Sequence, residues 1–318
     1  MKFQMFKKKQ SNKKKGHKRV HITTFSSIRV KMVALVGLLL LVVCIGFAAA
    51  SFFYSSTALT IQAKEALPLI AEQSAKVLES RIDGNITALK SIATRFEIKD
   101  SEREIDEKIV MLEQEKITGS YKWMGIVTED GILHSTKGGG DSYEIGSDYY
   151  TRAIKGEAVV SEPIVDKDRD SLEIIYSVPL TYTNGASGIL VAARNGYELS
   201  DFVIDITSGS SGKAFIIDRK GTTIAHIDKK LVFNKYNTIE HSEKDPALQS
   251  LAAIEKKMIA GESSTGEYSD NGVSKFVGYA PIGETGWSIG ITRDKSEVLG
   301  QLNSLKTSTI YLSVAFIM

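Results

Sequence analysis

The first third of the chain has two apolar patterns, and both predict helix. The run from Met32 to Phe53 contains no charged residue, and a helix needs about 20 apolar residues to cross the hydrocarbon core of a membrane. Between residues 57 and 100, apolar side chains recur mostly at every third or fourth position, which is the spacing of one helix face. Pro68 lies in the early turns of this second segment and is expected to kink it.

A change of period after residue 121 predicts the start of a sheet. Before it, Ser101 and Glu104 have the spacing of a capping box, which predicts a helix over about 102–117. After it, short apolar runs alternate with glycine-containing turns, as is typical of strands. The strands predicted in this half are 122–127, 132–135, 158–162, 172–180 and 188–193. The helices predicted beside them are 149–154 and about 198–206.

The remainder of the chain repeats this order of elements. Asp245 is expected to cap a helix that has Pro246 at its first position and ends before Gly261. The strands predicted in this half are 214–218, 223–226, 266–269, 275–281 and 287–292. Matching positions in the two halves pair His134 with His226, Pro179 with Pro281, and Arg194 with Arg293. We therefore expect two similar modules in series, each a small antiparallel sheet backed by helices.

The predicted fold class is α+β, with a long N-terminal helix and two tandem antiparallel-sheet modules between transmembrane helices. The expected divisions are a basic tail at 1–31, a transmembrane helix at 32–54, an outer region at 55–307, and the start of a second, truncated transmembrane helix at 308–318. Within the outer region we expect a helical stalk at 57–118, a first module at 119–207 and a second module at 208–300.

The tail sets the expected orientation in the membrane. Residues 1–31 contain eleven lysines and arginines and no acidic residue, and basic residues beside a membrane helix favour the cytoplasmic side. We therefore expect a multi-pass protein of the cell membrane whose outer region is extracellular. The alternative is a cleaved signal peptide, for which Ala48–Ala50 offers a cleavage site.

Charge and cysteine content argue against several classes of function. The chain has 40 basic and 38 acidic residues, so the part after the basic tail is acidic, which argues against nucleic acid as its partner. The single cysteine, Cys44, lies in the apolar run, so we expect no disulfide and no cysteine metal site outside the membrane. No nucleophile–base pair or phosphate-binding glycine loop stands out. We expect no enzyme activity, no cofactor and no metal.

Four stretches carry a resemblance to a known family, namely residues 148–180, 188–202, 212–226 and 279–299. With the predicted order of elements, the chain resembles the double-Cache (dCache) sensor region of bacterial methyl-accepting chemotaxis proteins over about 57–307. The resemblance implies PAS-like (Cache) modules, a small extracellular ligand, a homodimer and cytoplasmic signalling elements. The same sensor also precedes histidine kinases and diguanylate cyclases, so the signalling output stays open.

The resemblance also implies where a ligand binds. In the family the ligand usually sits in the membrane-distal module, which corresponds to the first module here. Amino-acid-binding members hold the ligand carboxylate with an arginine two residues before a tryptophan–tyrosine pair, and the ammonium with an aspartate on the last strand. By this resemblance Tyr150 matches the tyrosine, Tyr149 replaces the tryptophan and Ser147 replaces the arginine. The aspartate position falls at about Ala193, next to Arg194.

Further candidates come from the strands and loops around this position. Trp123 on the first strand is either a pocket wall or part of the core, and Asp166 lies in a loop where the family often supplies a ligand contact. A base, Arg194, at or beside the strand position of the family's acid favours an anionic ligand such as a carboxylate, although an outward-facing arginine explains it equally. The predicted ligand-binding residues are Trp123, Ser147, Tyr149, Tyr150, Asp166, Tyr176 and Arg194.

The leading functional hypothesis is the sensing region of a transmembrane chemoreceptor. A small carboxylate or amino-acid-like ligand in the first module would change how the long helix packs against its dimer partner. One alternative is the sensor of a histidine kinase or diguanylate cyclase, which the sequence beyond these residues would decide. The other is a module that senses a protein partner, which an empty or side-chain-filled pocket in the first module, beside a large exposed apolar patch, would favour.

Overall fold

The computed structural model describes residues 28–137, 140–142, 148–166, 171–206 and 212–300, together with 302, 307 and 311. The chain divides into two compact units, one formed by Met1–Phe52 with Lys306–Met318 and the other by Phe53–Leu305. Among the described residues, one helix, α1 (Ile28–Ala93), is long and apolar enough to cross a membrane. Most of its side chains between Met32 and Phe53 are exposed. The expected second membrane segment, 308–318, lies almost wholly outside the described residues.

Helix α1 joins the two helical segments predicted from the sequence. It continues past Pro68 and ends at Ala93, earlier than the predicted end near residue 100. The helix stops there because Arg95 adopts an extended conformation, with ψ of 141°, and a separate turn, α2 (Phe96–Lys99), comes next. The buried positions of α1 recur every three or four residues and include Leu67, Ala71, Ala75, Leu78, Ile82, Leu89 and Ile92.

The capping box predicted for the next helix is wrong. Helix α3 (Ile105–Thr118) begins three residues later than expected, and its N-cap, Glu104, makes no side-chain capping hydrogen bond. Ser101 contacts a different part of the chain, because its backbone N–H donates to Thr183 Oγ1 at 3.0 Å. The residue that should have capped the helix therefore ties the segment before α3 to the turn between β6 and β7.

The first module is a seven-stranded antiparallel sheet with two helices. Its sheet order is β3-β2-β1-β7-β6-β4, and β5 also pairs with β6. The strands are β1 (Trp123–Val127), β2 (Ile132–Ser135), β3 (Gly140–Ser142), β4 (Val159–Val160), β5 (Ile164–Asp166), β6 (Ser171–Thr181) and β7 (Ser187–Asn195). The helices are α4 (Asp148–Ala153) and α5 (Glu198–Ile206). The sequence did not predict β3 and β5, each of which has only three residues.

The second module is a five-stranded antiparallel sheet in the order β10-β11-β12-β8-β9. The strands are β8 (Lys213–Ile217), β9 (Thr223–His226), β10 (Ser264–Asp270), β11 (Val273–Ile282) and β12 (Trp287–Asp294). The helices are α6 (Lys229–Phe233), α7 (Thr238–His241), α8 (Gln249–Ile259) and α9 (Lys295–Gly300). Asp245 caps as predicted by accepting from the Ala247 N–H at 3.0 Å, but the capped element is a 3-10 turn, Pro246–Leu248, and α8 begins only after it.

The two sheets confirm the repeat that the sequence predicts. The order β2-β1-β7-β6-β4 in the first corresponds to β9-β8-β12-β11-β10 in the second. Pro179 and Pro281 occupy equivalent register positions, as do Arg194 and Arg293. The long helix and two antiparallel modules of the predicted α+β fold are therefore present.

Each sheet has two faces with different apolar partners. On one face of each sheet, the buried apolar side chains join those of α1, α3 and α5 in a single large cluster. We call this face of each sheet the helix-side face. The opposite face of each sheet, which we call the outer face, has its own smaller cluster that, among the described residues, includes none from α1. In the first module the outer cluster includes Trp123 and Tyr150, and in the second it includes Phe215 and Tyr268.

Candidate functional site

The candidate site is the outer face of the first module. Along β1, Trp123 and Val127 belong to the outer cluster, whereas Met124 and Ile126 belong to the helix-side cluster, because successive strand residues point to opposite faces. Helix α4 contributes Tyr150 and Ala153 to the outer cluster. This face is therefore an apolar floor with an aromatic ring from β1 and another from α4.

A buried carboxylate lies at the edge of this floor. Glu173 of β6 is only 4% exposed, and its Oε2 accepts hydrogen bonds from the Trp123 indole N–H at 2.8 Å and from Lys137 Nζ at 3.4 Å. Its other oxygen, Oε1, lies 3.4 Å from Lys122 Nζ but lacks hydrogen-bond geometry. A buried charge is costly unless it is paired, and these two lysines and the indole are the partners that the fold gives to the Glu173 carboxylate.

Lys137 joins Glu173 to a second carboxylate. Its ammonium lies 3.2 Å from Asp166 Oδ2 and 4.8 Å from the centre of the Trp123 ring, where the negative face of the indole attracts a cation. Lys122 also donates to Ser171 Oγ at 3.0 Å. We call Lys122, Lys137, Asp166 and Glu173 the charge cluster. It has two positive and two negative side chains beside an aromatic wall.

The structure brings together three of the seven residues predicted to bind ligand. Trp123, Tyr150 and Asp166 are all associated with the outer face. Tyr149 lies in α4, but its side chain is outside the described part of the structure, and Ser147 lies outside the described residues altogether.

Tyr176 and Arg194 belong to the helix-side face, opposite the charge cluster. The Tyr176 hydroxyl accepts a hydrogen bond from Asn85 Nδ2 of α1 at 3.1 Å. Both residues line a separate cavity of about 440 Å³ whose other walls come from α1 and α5. Burial raises the pKa of the Tyr176 hydroxyl above its ordinary value. The seven predicted residues therefore do not form one site.

Arg194 already has an internal anionic partner. Its Nε lies 2.9 Å from Glu198 Oε2 of α5, and its Nη1 donates to the Gly119 carbonyl at 3.0 Å, directly after α3. The guanidinium also lies 5.4 Å from the centre of the Tyr121 ring. The hydrogen bond and charge of Glu198 raise the pKa of Arg194, against the lowering effect of burial. Arg194 thus connects β7, α5 and the end of α3.

We expect Arg194→Met to lower the free energy of unfolding by about 1–2 kcal/mol, because it leaves the Gly119 carbonyl and Glu198 without their charged partner. Affinity for any ligand of the outer face should stay within about twofold. Urea unfolding and ligand titration measure the two effects separately. Arg293→Met, at the equivalent but exposed position, is the matched control. Loss of ligand binding with unchanged stability would instead make Arg194 a ligand anchor.

The sequence reasoning missed Glu173, Lys137 and Lys122. The available signal was a single charged residue inside the run of β6, where seven consecutive positions are buried. An acid at such a position needs buried partners, and a lysine in the preceding segment of the same module would have been the natural candidate.

The charge cluster offers a partner for each end of a small zwitterion. Lysine ammonium groups bind carboxylates and carboxylates bind ammonium groups, while the indole and the Tyr150 ring supply apolar surface. Within the described residues, no group of three or more histidine, cysteine, aspartate or glutamate side chains is placed to hold a metal ion. The arrangement is suited to non-covalent binding of a polar small molecule.

Comparison with known families gives the identity of this fold. A family model described as the Cache domain, dCache_1, matches residues 55–302, which is more than half of the 318 residues. The chain belongs to the dCache family. This membership confirms the resemblance found in the sequence, and the matched range contains both modules and the whole of the helical stalk.

Solved dCache structures share the architecture. The ligand-binding domain of the Pseudomonas fluorescens chemoreceptor CtaA, in complex with L-serine, is 18% identical with a TM-score of 0.59, over 74% of this chain and 99% of that chain. The Pseudomonas aeruginosa amino acid chemoreceptor PctB, with L-Arg, is 17% identical with a TM-score of 0.54, over 74% and 96%. The Campylobacter jejuni chemoreceptor Tlp3, with isoleucine, is 15% identical with a TM-score of 0.58, over 78% and 98%.

These similarities establish the dCache fold of the chain. At identities below 20% they do not transfer a ligand from one protein to another. A comparison with curated proteins gives no match. The ligand of this chain must therefore be inferred from its own residues.

Proposed function

We propose that this chain is the sensing region of a membrane-anchored chemoreceptor and that its small ligand binds to the outer face of the first module. Membership of the dCache family and the amino-acid complexes of its structural neighbours support a ligand-binding role. The apolar segment of α1 supports anchoring in the cell membrane. The extracellular orientation rests on the basic tail, and a second membrane helix would begin near residue 308.

The main support for a ligand site on the outer face is the charge cluster beside Trp123. A ligand carboxylate would compete with Asp166 for Lys137, whose ammonium is 3.2 Å from that aspartate. A ligand ammonium would then take the place of Lys137 beside the Asp166 carboxylate, so that the total charge of the cluster and ligand stays balanced. An amino acid or a similar zwitterion fits this exchange better than a simple anion does, because both partners are used.

We propose that the predicted residues in and before α4 also contact the ligand. Tyr149 and Tyr150 of α4, with Ser147 just before the helix, would enclose the ligand above the apolar floor. Ser147 cannot form the bidentate bonds that an arginine gives to a carboxylate. Lys137 of the charge cluster would take over this task in the present chain.

The signal would leave the first module through its helix-side face. The hydrogen bond between Asn85 of α1 and Tyr176 of β6 joins the long helix directly to the sheet that carries the ligand on its other face. A ligand that draws α4 toward the sheet would bias the packing of α1 against a second copy of the chain. The ligand shifts the equilibrium between two packing states of α1 only by the difference between its affinities for those states. Cytoplasmic elements beyond this sequence would receive the change.

The test is a thermal-unfolding screen of the full chain in detergent micelles against amino acids, organic acids, amines and purines. A ligand at 100 times its dissociation constant stabilises by about 2.7 kcal/mol, which is readily visible. We expect an amino-acid-like compound to stabilise the chain and Asp166→Asn to weaken its binding at least about tenfold, because the ammonium loses its partner.

Glu129→Gln is the matched control, since Glu129 is an exposed acid in the turn of the same module. Its binding should equal that of the wild type. If carboxylates without an amine bind as tightly as amino acids, the zwitterion assignment fails. If no compound in the screen stabilises the chain, direct sensing of small molecules fails, and a protein partner becomes the better hypothesis.

A further inference from the structure

A second cavity lies on the outer face of the second module. Its volume is about 400 Å³, which is within the range typical of small-molecule sites. It is bounded by β8, β9 and β10 of the sheet and by α7, the 3-10 turn and α8. Since the two sheets have the same order, this cavity occupies the position that corresponds to the outer face of the first module.

A buried carboxylate with one unused oxygen lines this cavity. Glu255 of α8 is only 2% exposed. Its Oε1 accepts a hydrogen bond from Thr238 Oγ1 at 2.9 Å, and its Oε2 has no hydrogen-bond partner among the described residues. A buried acceptor without a partner costs roughly 1–3 kcal/mol, and more when it is charged. A ligand that donates to this oxygen would remove that cost.

The remaining lining is acidic and aromatic. Asp245 is used in capping the 3-10 turn, and Asp270 is paired with Lys275 Nζ at 2.7 Å. Among the described residues that line the cavity, none is a lysine or an arginine. The aromatic residues of its wall are Phe215, Tyr236 and Tyr268. Aromatic rings attract cations through their negative faces. The acidic side chains and the aromatic rings therefore both favour a cationic ligand.

We propose that this cavity is a second ligand site that binds a small organic cation bearing N–H donors, with Glu255 as its anionic partner. The ammonium of a primary or secondary amine would donate to Glu255 Oε2 and lie among the aromatic rings. An inorganic metal ion is less suited, because the described residues contain no group of three or more metal-ligating side chains. This site is independent of the charge cluster in the first module.

Protonation of Glu255 competes with such a ligand. Burial raises the pKa of Glu255 to about 7, against the lowering effect of the Thr238 hydrogen bond. The titratable groups around the cavity are His226 of β9, Tyr236, Asp245, and Tyr268 and Asp270 of β10. Burial lowers the pKa of His226 and raises that of both tyrosines. Glu255 is therefore the group whose ionisation changes most between pH 6 and pH 8.

The experiment measures thermal unfolding of the full chain in detergent micelles with linear primary monoamines and diamines of two to six carbons at pH 8. We expect at least one of them to raise the unfolding midpoint with a saturable dose dependence. The uncharged alcohol of equal length should have no such effect. Glu255→Gln should weaken the amine at least about tenfold, since the amide carries no charge.

Two controls separate this site from the first module. Glu262→Gln removes an exposed acid shortly after the same helix, α8, and should leave amine binding unchanged. Asp166→Asn should also leave it unchanged, whatever becomes of binding to the first module. Loss of amine binding in Asp166→Asn with retention in Glu255→Gln would place the cation in the first module and overturn the proposal.

The pH dependence gives an independent readout. A carboxyl group with a pKa of about 7 is only about 3% ionised at pH 5.5, so amine affinity should be about 30-fold weaker at pH 5.5 than at pH 8. A primary monoamine itself stays protonated over this range. If no amine gives a saturable shift at pH 8, or if Glu255→Gln binds as tightly as the wild type, the proposal is wrong.

Discussion

Replacing Gly278 with alanine is expected to lower the free energy of unfolding by about 2–3 kcal/mol, because overpacking a core costs about this much. Gly278 lies in β11 on the helix-side face, where α1 crosses the second sheet. A Cβ atom there would lie 2.2 Å from the backbone carbonyl carbon of Leu67 and 2.5 Å from its oxygen. Backbone atoms cannot turn aside as a flexible side chain can, so α1 would have to move away from the sheet.

The same substitution at Gly84 is the matched control, with the opposite sign. Gly84 lies within α1 and is exposed, and apart from the neighbouring backbone of the helix itself a Cβ atom there would meet no atom within 4 Å. Gly84→Ala should therefore stabilise the chain by about 0.5–1 kcal/mol, the usual advantage of alanine inside a helix. Urea unfolding in micelles, followed by fluorescence of Trp123 and Trp287, measures both variants. Equal midpoints for Gly278→Ala and the wild type would contradict close packing of α1 on β11.

Much of the fold could be predicted because turns and periods act locally. The turns at Gly131 and Gly221 place glycine at positive φ between short apolar runs, and this pattern predicts paired strands without knowledge of the tertiary structure. The short helices α6 and α7 were missed although their caps are local too. Asp228 and Asn237 each accept hydrogen bonds from backbone N–H groups of the following turn, which is the usual signature of a helix start.

The faces of the strands could not be predicted to the same degree. Strand β6 is buried on both sides over most of its length, so its apolar pattern does not show which side chains face α1. A shift of one residue moves every side chain to the opposite face. For this reason the sequence groups Tyr176 with Trp123, although Tyr176 lies on the other side of the sheet. Arg194 is grouped there by the family resemblance, and it lies one position beyond Ala193, whose side chain does belong to the outer cluster.

An irregularity in the pairing of β8 and β9 places the two repeat-related histidines on different faces of their sheets. His134 and His226 occupy matching places in the sequence repeat, but His134 is paired with Ile126 and His226 with Phe215. The pairing of β8 and β9 has an irregularity between Ile216 and Ile217, which shifts the register by one residue. His226 therefore reaches the outer face of the second module, whereas its counterpart does not. A sequence repeat alone contains no information about such a shift.

The pH dependence of stability is expected to change strongly when Glu255 is replaced by glutamine. The pKa of Glu255 is raised from an ordinary value of 4.5 to about 7 in the fold, chiefly by burial. The folded state therefore holds this proton more tightly than the unfolded state does. Its contribution to stability is fully present below pH 4.5 and is lost as the pH rises through 7. The loss amounts to about 3 kcal/mol.

Glutamine can keep the hydrogen bond from Thr238 but cannot ionise, so Glu255→Gln should lack this loss. The difference in unfolding free energy between variant and wild type should grow by about 3 kcal/mol from pH 4.5 to pH 8 and level off above pH 7. Urea unfolding at several pH values measures it, with Glu262→Gln as the exposed control. Parallel profiles for wild type and Glu255→Gln would show that Glu255 is not buried as the structure has it.

Because a bound cation would favour the ionised carboxylate, an amine ligand should restore the lost stability at pH 8 and have little effect at pH 5. The stability profile therefore tests the buried state of Glu255 without any ligand, and its reversal by an amine tests the second site.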